Sequence, residues 1–315
     1  MKPFLIGLLA GLCLLSAGCG KEAAPPPPAP PPPAAFYSLH DTTGKEIVLT
    51  KKPEKIVLLS PAFLNIMHAA GGDFVAYGSS PSLDVPDYAK GKVNLGYSYQ
   101  INMEKLIGEK PDLVIGLKGL HNPLASSLEA NHIPLMLLSI STEDEVAQAI
   151  EIMGDVSGHT EEGAKASKEF QKEIDALSQK VPDKGMTCAV IFGAAHAVMF
   201  AKEGTIATET AKILHFQNVF AKEGASEMHM MPFSMEDLMK KDPDILFLTT
   251  MVTPGQEKKV FEESLLNQPA WKELRAVKEG RVYFLPQNLF LSSPGIEYPK
   301  AIRCMAGQVY PEMRF

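Results

Sequence analysis

The chain has 315 residues, 45% of them hydrophobic and 21% charged. That balance excludes wholesale disorder and a multi-span membrane protein, and the length suffices for two lobes with cores of their own. A formal charge of -7 is the wrong sign for gripping nucleic acid, and all four arginines (Arg275, Arg281, Arg303, Arg314) fall late, leaving everything before Arg275 without the planar fork that clamps carboxylates and phosphates.

Lys2, an apolar run from Phe4 to Leu15, and Ser16-Ala17-Gly18 before Cys19 have the layout of a secretory signal, too short to remain as a membrane span. Residues 1–18 are read as the signal peptide and Cys19 as the lipidation site of a bacterial lipoprotein, although Ser16 stands where the strict lipobox has Leu. Prolines 25–28 and 30–33 then force an extended polyproline II segment, so residues 19–36 form a stiff tether holding the body off a membrane. Of the remaining cysteines, Cys188 sits in a strand-like apolar run and reads as a buried thiol, and Cys304 offers no zinc spacing.

Beyond the tether, an N-terminal lobe is expected over residues 37–142. It opens with a buried strand at Lys55–Leu59, followed by a short amphipathic helix at Met103 that closes on Pro111-Asp112 and runs into the apolar strand Leu113-Val114-Ile115. Residues 143–182 form a linking helical segment, whose second part carries Ala166, Phe170, Ile174, Leu177 and Val181 on one apolar stripe. The C-terminal lobe, 183–315, opens with the strand Thr187–Phe192. It repeats the helix-Pro-Asp-strand unit at Met235 to Phe247, in a constant register of 132 residues. Alternating strands and helices predict α/β lobes with largely parallel, Rossmann-like sheets, joined by a long rigid helix and binding ligand in a cleft at the carboxyl ends of the strands.

From Lys55-Ile56-Val57-Leu58-Leu59-Ser60-Pro61 to Trp271, Ala276–Tyr283 and Pro294-Gly295, the pattern resembles the substrate-binding lipoproteins of ABC importers for iron chelates, haem and cobalamin. The resemblance implies an extracytoplasmic carrier, anchored by lipid to a bacterial membrane, that hands a small iron chelate to a permease and its ATPase. In that family a glutamate on each lobe commonly meets the permease. Glu209 matches it in the second lobe, whereas Asn65 holds the corresponding place in the first.

Haem-carrying members resemble the chain at two loops. Leu95-Gly96-Tyr97 matches a loop whose Tyr supplies an axial oxygen to ferric haem, and Gly193-Ala194-Ala195-His196 matches one carrying a His ligand. Tyr and His are both haem ligands, which makes Tyr97 and His196 the expected metal pair. The repeat adds His229 as an alternative, since the register carries Tyr97 onto it. Tyr99, Met251 and Phe290 are secondary candidates for the pocket wall.

Each candidate has a packing role as its competitor. His121, after the Leu113–Ile115 strand, is placed to line the cleft but has no partner argument, and His40, His68, His132, His159 and His215 are read as surface or packing residues. Haem is therefore the expected cargo, with cobalamin (gripped by aromatic edges) or a ferric siderophore as alternatives. Siderophore binding is weakened by the scarcity of arginine. A bare metal would need a convergent His and carboxylate cluster that is not legible. No nucleophile elbow, dinucleotide turn or zinc motif occurs, so no enzyme activity and no catalytic cofactor are expected.

Overall fold

The computed structural model describes residues 35–81, 83–194, 197–223, 229–250, 257–291 and 294–315. The signal, Cys19, most of the tether, His196 and Met251 lie outside the described residues. Strands β1 (Tyr37–His40) and β2 (Glu46–Leu49) form an antiparallel ribbon, and the Phe36 N–H already donates to Leu49 O, so the fold begins one residue before the expected boundary. The turn between them is built on the buried Asp41. Burial alone would raise the pKa of this carboxyl, but the Thr43 hydroxyl and the N–H groups of Leu137, Thr43 and Lys45 all donate to it and hold it below the usual carboxylate range.

The first large sheet comprises β3 (Ile56–Leu58), β4 (Ala76–Ser79), β5 (Val93–Tyr97), β6 (Gln100–Ile101), β7 (Leu113–Leu117) and β8 (Leu135–Leu138). Their order is β6-β5-β4-β3-β7-β8, parallel except at the β6 edge. Helices α1 (Ala62–Ala69), α2 (Met103–Gly108) and α3 (Ala125–Ala130) connect these strands, and α4 (Glu143–Ser157) and α5 (Thr160–Ser178) follow. The second sheet contains β9 (Thr187–Ala194), β10 (Ala197–Ala201), β11 (Gln217–Asn218), β12 (Met230–Pro232), β13 (Ile245–Thr250) and β14 (Val282–Leu285). Strands β9, β11, β13 and β14 are parallel, while β10 runs against both β9 and β12. Its helices are α6 (Ile206–Ile213), α7 (Met235–Lys241), α8 (Glu257–Phe261), α9 (Arg275–Lys278), α10 (Gln287–Phe290) and α11 (Tyr298–Val309).

The two halves of the repeat have the same construction. Ile56 pairs with Leu113 in the first sheet and Cys188 with Ile245 in the second, each residue being the 132-residue counterpart of the other. The Pro-Asp aspartates do more than close a helix. Asp112 accepts the N–H groups of Glu54 and Lys55, at 3.0 and 2.8 Å, and Asp244 accepts the N–H and hydroxyl of Thr187, both at 2.8 Å. In each lobe this carboxylate clasps the start of the central strand.

Strand side chains alternate between two cores. Ile56, Leu58, Leu113 and Ile115 of the first sheet join Cys188, Val190, Ile245 and Phe247 of the second in one apolar cluster, completed by α1, α4, α5, α6 and α11. The opposite faces close separate cores, around Val57, Leu59 and Val114 in one lobe and Ala189, Ile191, Leu246 and Leu248 in the other. Burial on both faces explains why these strands read as continuous apolar runs. Cys188 is a free thiol within the shared core, and burial pushes its pKa up to about 12.

The linking segment is a helical hairpin. Thr142 and Glu145 form a capping box at the start of α4, and Gly158, at φ +76°, ends that helix in the left-handed conformation. The chain then turns into α5, whose Phe170, Ile174 and Leu177 are buried as the stripe predicts. The two helices cross at Gly154 and Gly163, where a Cβ on Gly154 would lie 2.8 Å from the Gly163 Cα. Tyr298 of α11 is fully buried across the joint, with its hydroxyl 3.4 Å from both Ser141 O, just before α4, and Ile206 O, at the start of α6.

Candidate functional site

Ligands of such sheets collect beyond the carboxyl ends of the strands. At that edge of the first sheet, β5 and β6 make a tight hairpin whose two turn residues are Ser98 and Tyr99, with Tyr97 opposite Gln100. Asn94 Oδ1 accepts the Gly96 N–H at 2.8 Å, and the Ser79 hydroxyl donates to Gly96 O at 3.0 Å. The Ser98 N–H donates to Ser79 O at 2.8 Å, tying the turn to the end of β4. Beyond the turn, Asn102 caps α2 by accepting the Lys105 N–H.

On this frame Tyr97 and Tyr99 stand in solvent, 45% and 62% exposed, with ring centroids 5.4 Å apart and planes within 20°. Large exposed aromatics stacked on a rigid turn form an apolar platform suited to a flat ligand, with a phenolic oxygen at hand.

Beneath the platform lies His121, only 1% exposed. Its Nδ1 accepts the Leu117 N–H at 2.8 Å, so the ring proton sits on Nε2, which donates to Ser98 O at 2.9 Å. Burial holds its pKa below the ordinary histidine range, with the Ser98 bond working in the opposite direction. Sequence reading left His121 without a partner because both partners are backbone groups, one of them 23 residues away.

The corresponding edge of the second sheet is formed by the ends of β9, β13 and β14. Thr249 and Thr250, at the end of β13, are each 2% exposed, and their hydroxyls find no partner among the described residues. His196, just past β9, and Met251, just past β13, fall outside the described residues.

The expectation for His229 needs correcting. Tyr97 stands six positions before the start of α2 and His229 six before that of α7, but in the first lobe that stretch reverses direction at the hairpin, whereas in the second it runs straight through β12. Tyr97 therefore ends its strand and His229 precedes its own. The Lys202 N–H donates to His229 O, alongside the amino-terminal half of β9. At about 3.3 Å per residue, that is roughly 16 Å short of the strand's carboxyl end. The imidazole lies over Gly204 and donates from Nδ1 to Glu203 O at 2.8 Å. It is exposed, but at the wrong edge to face Tyr97.

Phe290 is also corrected: at 2% exposed it belongs to the shared core, not to a pocket wall. Glu209 is largely turned inward. Its Oε1 accepts the Gly204 N–H at 2.8 Å, and its Oε2 lies 3.5 Å from Lys212 Nζ. In the first lobe Asn65 accepts the Tyr88 hydroxyl, and the Tyr88 ring stacks on His68 at 4.1 Å. A cavity of about 690 Å³ opens beside α6 and β11, lined by Glu203, Glu209, Lys212 and Lys222. It sits at the amino-terminal edge of the sheet, away from the aromatic platform. Among the described residues no His, Cys, Asp and Glu group could hold a bare metal ion, and no helix is long and apolar enough to cross a membrane.

Residues 56–289 match the model of a known family, Periplasmic binding protein. The chain belongs to this family. It is 25% identical over 300 residues to the Fe(3+)-citrate-binding protein YfmC of Bacillus subtilis (strain 168), covering 93% of this chain and 92% of that one. The structure of an ABC transporter substrate-binding protein from Listeria monocytogenes EGD-e superposes with a TM-score of 0.74 at 25% identity, over 83% of this chain and all of that one. IsdE of S. aureus, complexed with heme, shares the fold at a TM-score of 0.70 and 18% identity, over 81% of this chain and 98% of that one. The chain is thus an ABC-importer substrate-binding protein of the group that carries iron chelates, haem and vitamin B12.

Proposed function

We propose that the protein captures haem at the carboxyl edges of its two sheets and delivers it to a permease driven by an ATPase. The observation that carries this reading is the stacked, exposed pair Tyr97 and Tyr99 on a hairpin fixed by Ser79, Asn94 and His121. Tyr97 would supply an axial oxygen to ferric iron, Tyr99 would lie against the macrocycle, and His196 would be the second ligand from the facing lobe. Three of the four arginines are engaged with carboxylates: Arg275 with Asp242 and Asp244, Arg281 with Glu279, and Arg303 with Glu173. This disfavours clamping of a densely anionic chelate. Delivery uses Glu209, with a permease cation taking the place of Lys212, and lipid on Cys19 keeps the carrier beside its importer on the outer side of the membrane.

The test is titration of the purified protein with haemin. A Soret band is expected in the wild type, lost or shifted in Tyr97→Ala and His196→Ala. Cobalamin is the second reading, favoured by the same aromatic pair, which needs no metal bond to grip a corrin edge. Binding of cyanocobalamin or ferric citrate with indifference to haemin would overturn the haem assignment.

A further inference from the structure

We infer that His121 is the positioning residue of the ligand platform: its buried ring bridges β7 to the Ser98 carbonyl and so fixes the Tyr97 and Tyr99 rings at the carboxyl edge. The inference rests on the platform being the binding surface proposed above. Ser98 is the only residue between the two rings, and its peptide groups are tied on both sides, the N–H to Ser79 O at 2.8 Å and the C=O to His121 Nε2 at 2.9 Å. The first tie comes from the neighbouring strand and sets the height of the turn. The second comes from across the sheet edge, from the loop after β7, and sets its tilt.

The rest of that loop serves to hold the imidazole. The His121 N–H donates to Leu117 O at 3.0 Å while its Nδ1 accepts the Leu117 N–H, closing a tight ring of bonds that fixes both rotamer and tautomer. Gly116 leaves the space the ring occupies, since a Cβ there would come within 3.0 Å of His121 Cβ. Asn122 Oδ1 accepts the Gly119 N–H at 2.8 Å and braces the loop from the other side. A histidine serving only as core filler would need none of these bonds, and an apolar residue would fill the space without a desolvation cost. The imidazole is the group whose two nitrogens meet an N–H on one strand and a C=O on the hairpin at once.

Two substitutions separate bridging from folding. His121→Asn keeps an acceptor near Leu117 but is too short to reach Ser98, whereas His121→Gln offers an amide long enough to serve both. In the full-length protein purified in detergent and free of ligand, hydrogen exchange over residues 96–101 should quicken about tenfold in His121→Asn, with little change in β3, and should recover largely in His121→Gln. Haemin affinity should fall about tenfold in His121→Asn, with a shifted Soret band, and the same change should add little in a Tyr97→Ala background. Unchanged exchange in the hairpin, or equal weakening in both backgrounds, would overturn the inference. If the wild type ignores haemin, the haem reading fails on its own account. Exchange then still decides the positioning role, and cyanocobalamin replaces haemin in the coupling measurement.

Discussion

Replacing Gly163 by alanine tests the crossing of α4 and α5 directly. In isolation the change favours the helix by about 1 kcal/mol, because glycine is the poorer helix former. At this position the new methyl would lie 2.9 Å from the Gly154 Cα and 3.2 Å from Ile150 O, against ordinary contacts that begin near 3.4 Å. Both neighbours are backbone, so relief requires the helices themselves to separate. Helix α5 resists this, because Phe170, Ile174 and Leu177 are locked in the shared core and Glu173 is bonded to Arg303 at 2.6 Å. Overpacking of this kind costs about 1–3 kcal/mol, so after the helix gain Gly163→Ala should destabilise by up to about 2 kcal/mol net. Gly307, within α11, has no atom within 4 Å of its would-be Cβ, so the same substitution there should stabilise by up to about 1 kcal/mol. Urea unfolding followed by circular dichroism measures both. Equal signs for the two variants would refute the close-crossing argument.

Asp244→Ala removes the clasp on the second central strand, leaving the Thr187 N–H and hydroxyl without their acceptor. A loss of about 2 kcal/mol is expected in the same assay, the usual range for hydrogen bonds to a charged group. The pH dependence of stability should show two windows. His121 is buried and neutral, with a folded pKa below its ordinary 6.5, so its contribution is intact above that value and declines as acidification protonates the unfolded chain first. Melting temperatures should therefore fall as the pH drops below about 6.5, and this slope should flatten in His121→Gln. For Asp244, burial opposes ionisation, but the Thr187 bonds, Arg275 and Arg281 win and lower the pKa. Its stabilisation is present above the ordinary carboxylate range and disappears only on stronger acidification, in a step that Asp244→Ala should lack.

The architecture was legible because its signals were local. Helix periodicity, the Pro-Asp closures and the apolar runs lie within short windows, and a constant register linked the two halves. The same register misled at His229, where a two-residue reversal in one lobe has no counterpart in the other. Number offsets survive such a difference, but strand ends do not. The roles of Asp112, Asp244 and His121 were hidden for another reason. Each has backbone partners distant in sequence, N–H groups 57 to 58 residues away for the two aspartates and the Ser98 carbonyl 23 residues away for His121, and a backbone group leaves no mark in the letters of a sequence. The inward turn of Glu209 and the burial of Phe290 depend on packing, which sequence letters do not carry.

Among the described residues one apolar cluster takes in side chains of both sheets and of the hairpin that joins them, so a cut between the two halves would split a shared core. A fragment ending at the turn between α4 and α5 would lay bare the flank of Ile56, Ile115 and Phe63 to water, and its complement the flank of Val190 and Phe247. Neither piece would be a smaller version of the whole. Helix α11, through Tyr298, Ile302 and Met305, walls this core, so it closes only once residues 298–309 are in place.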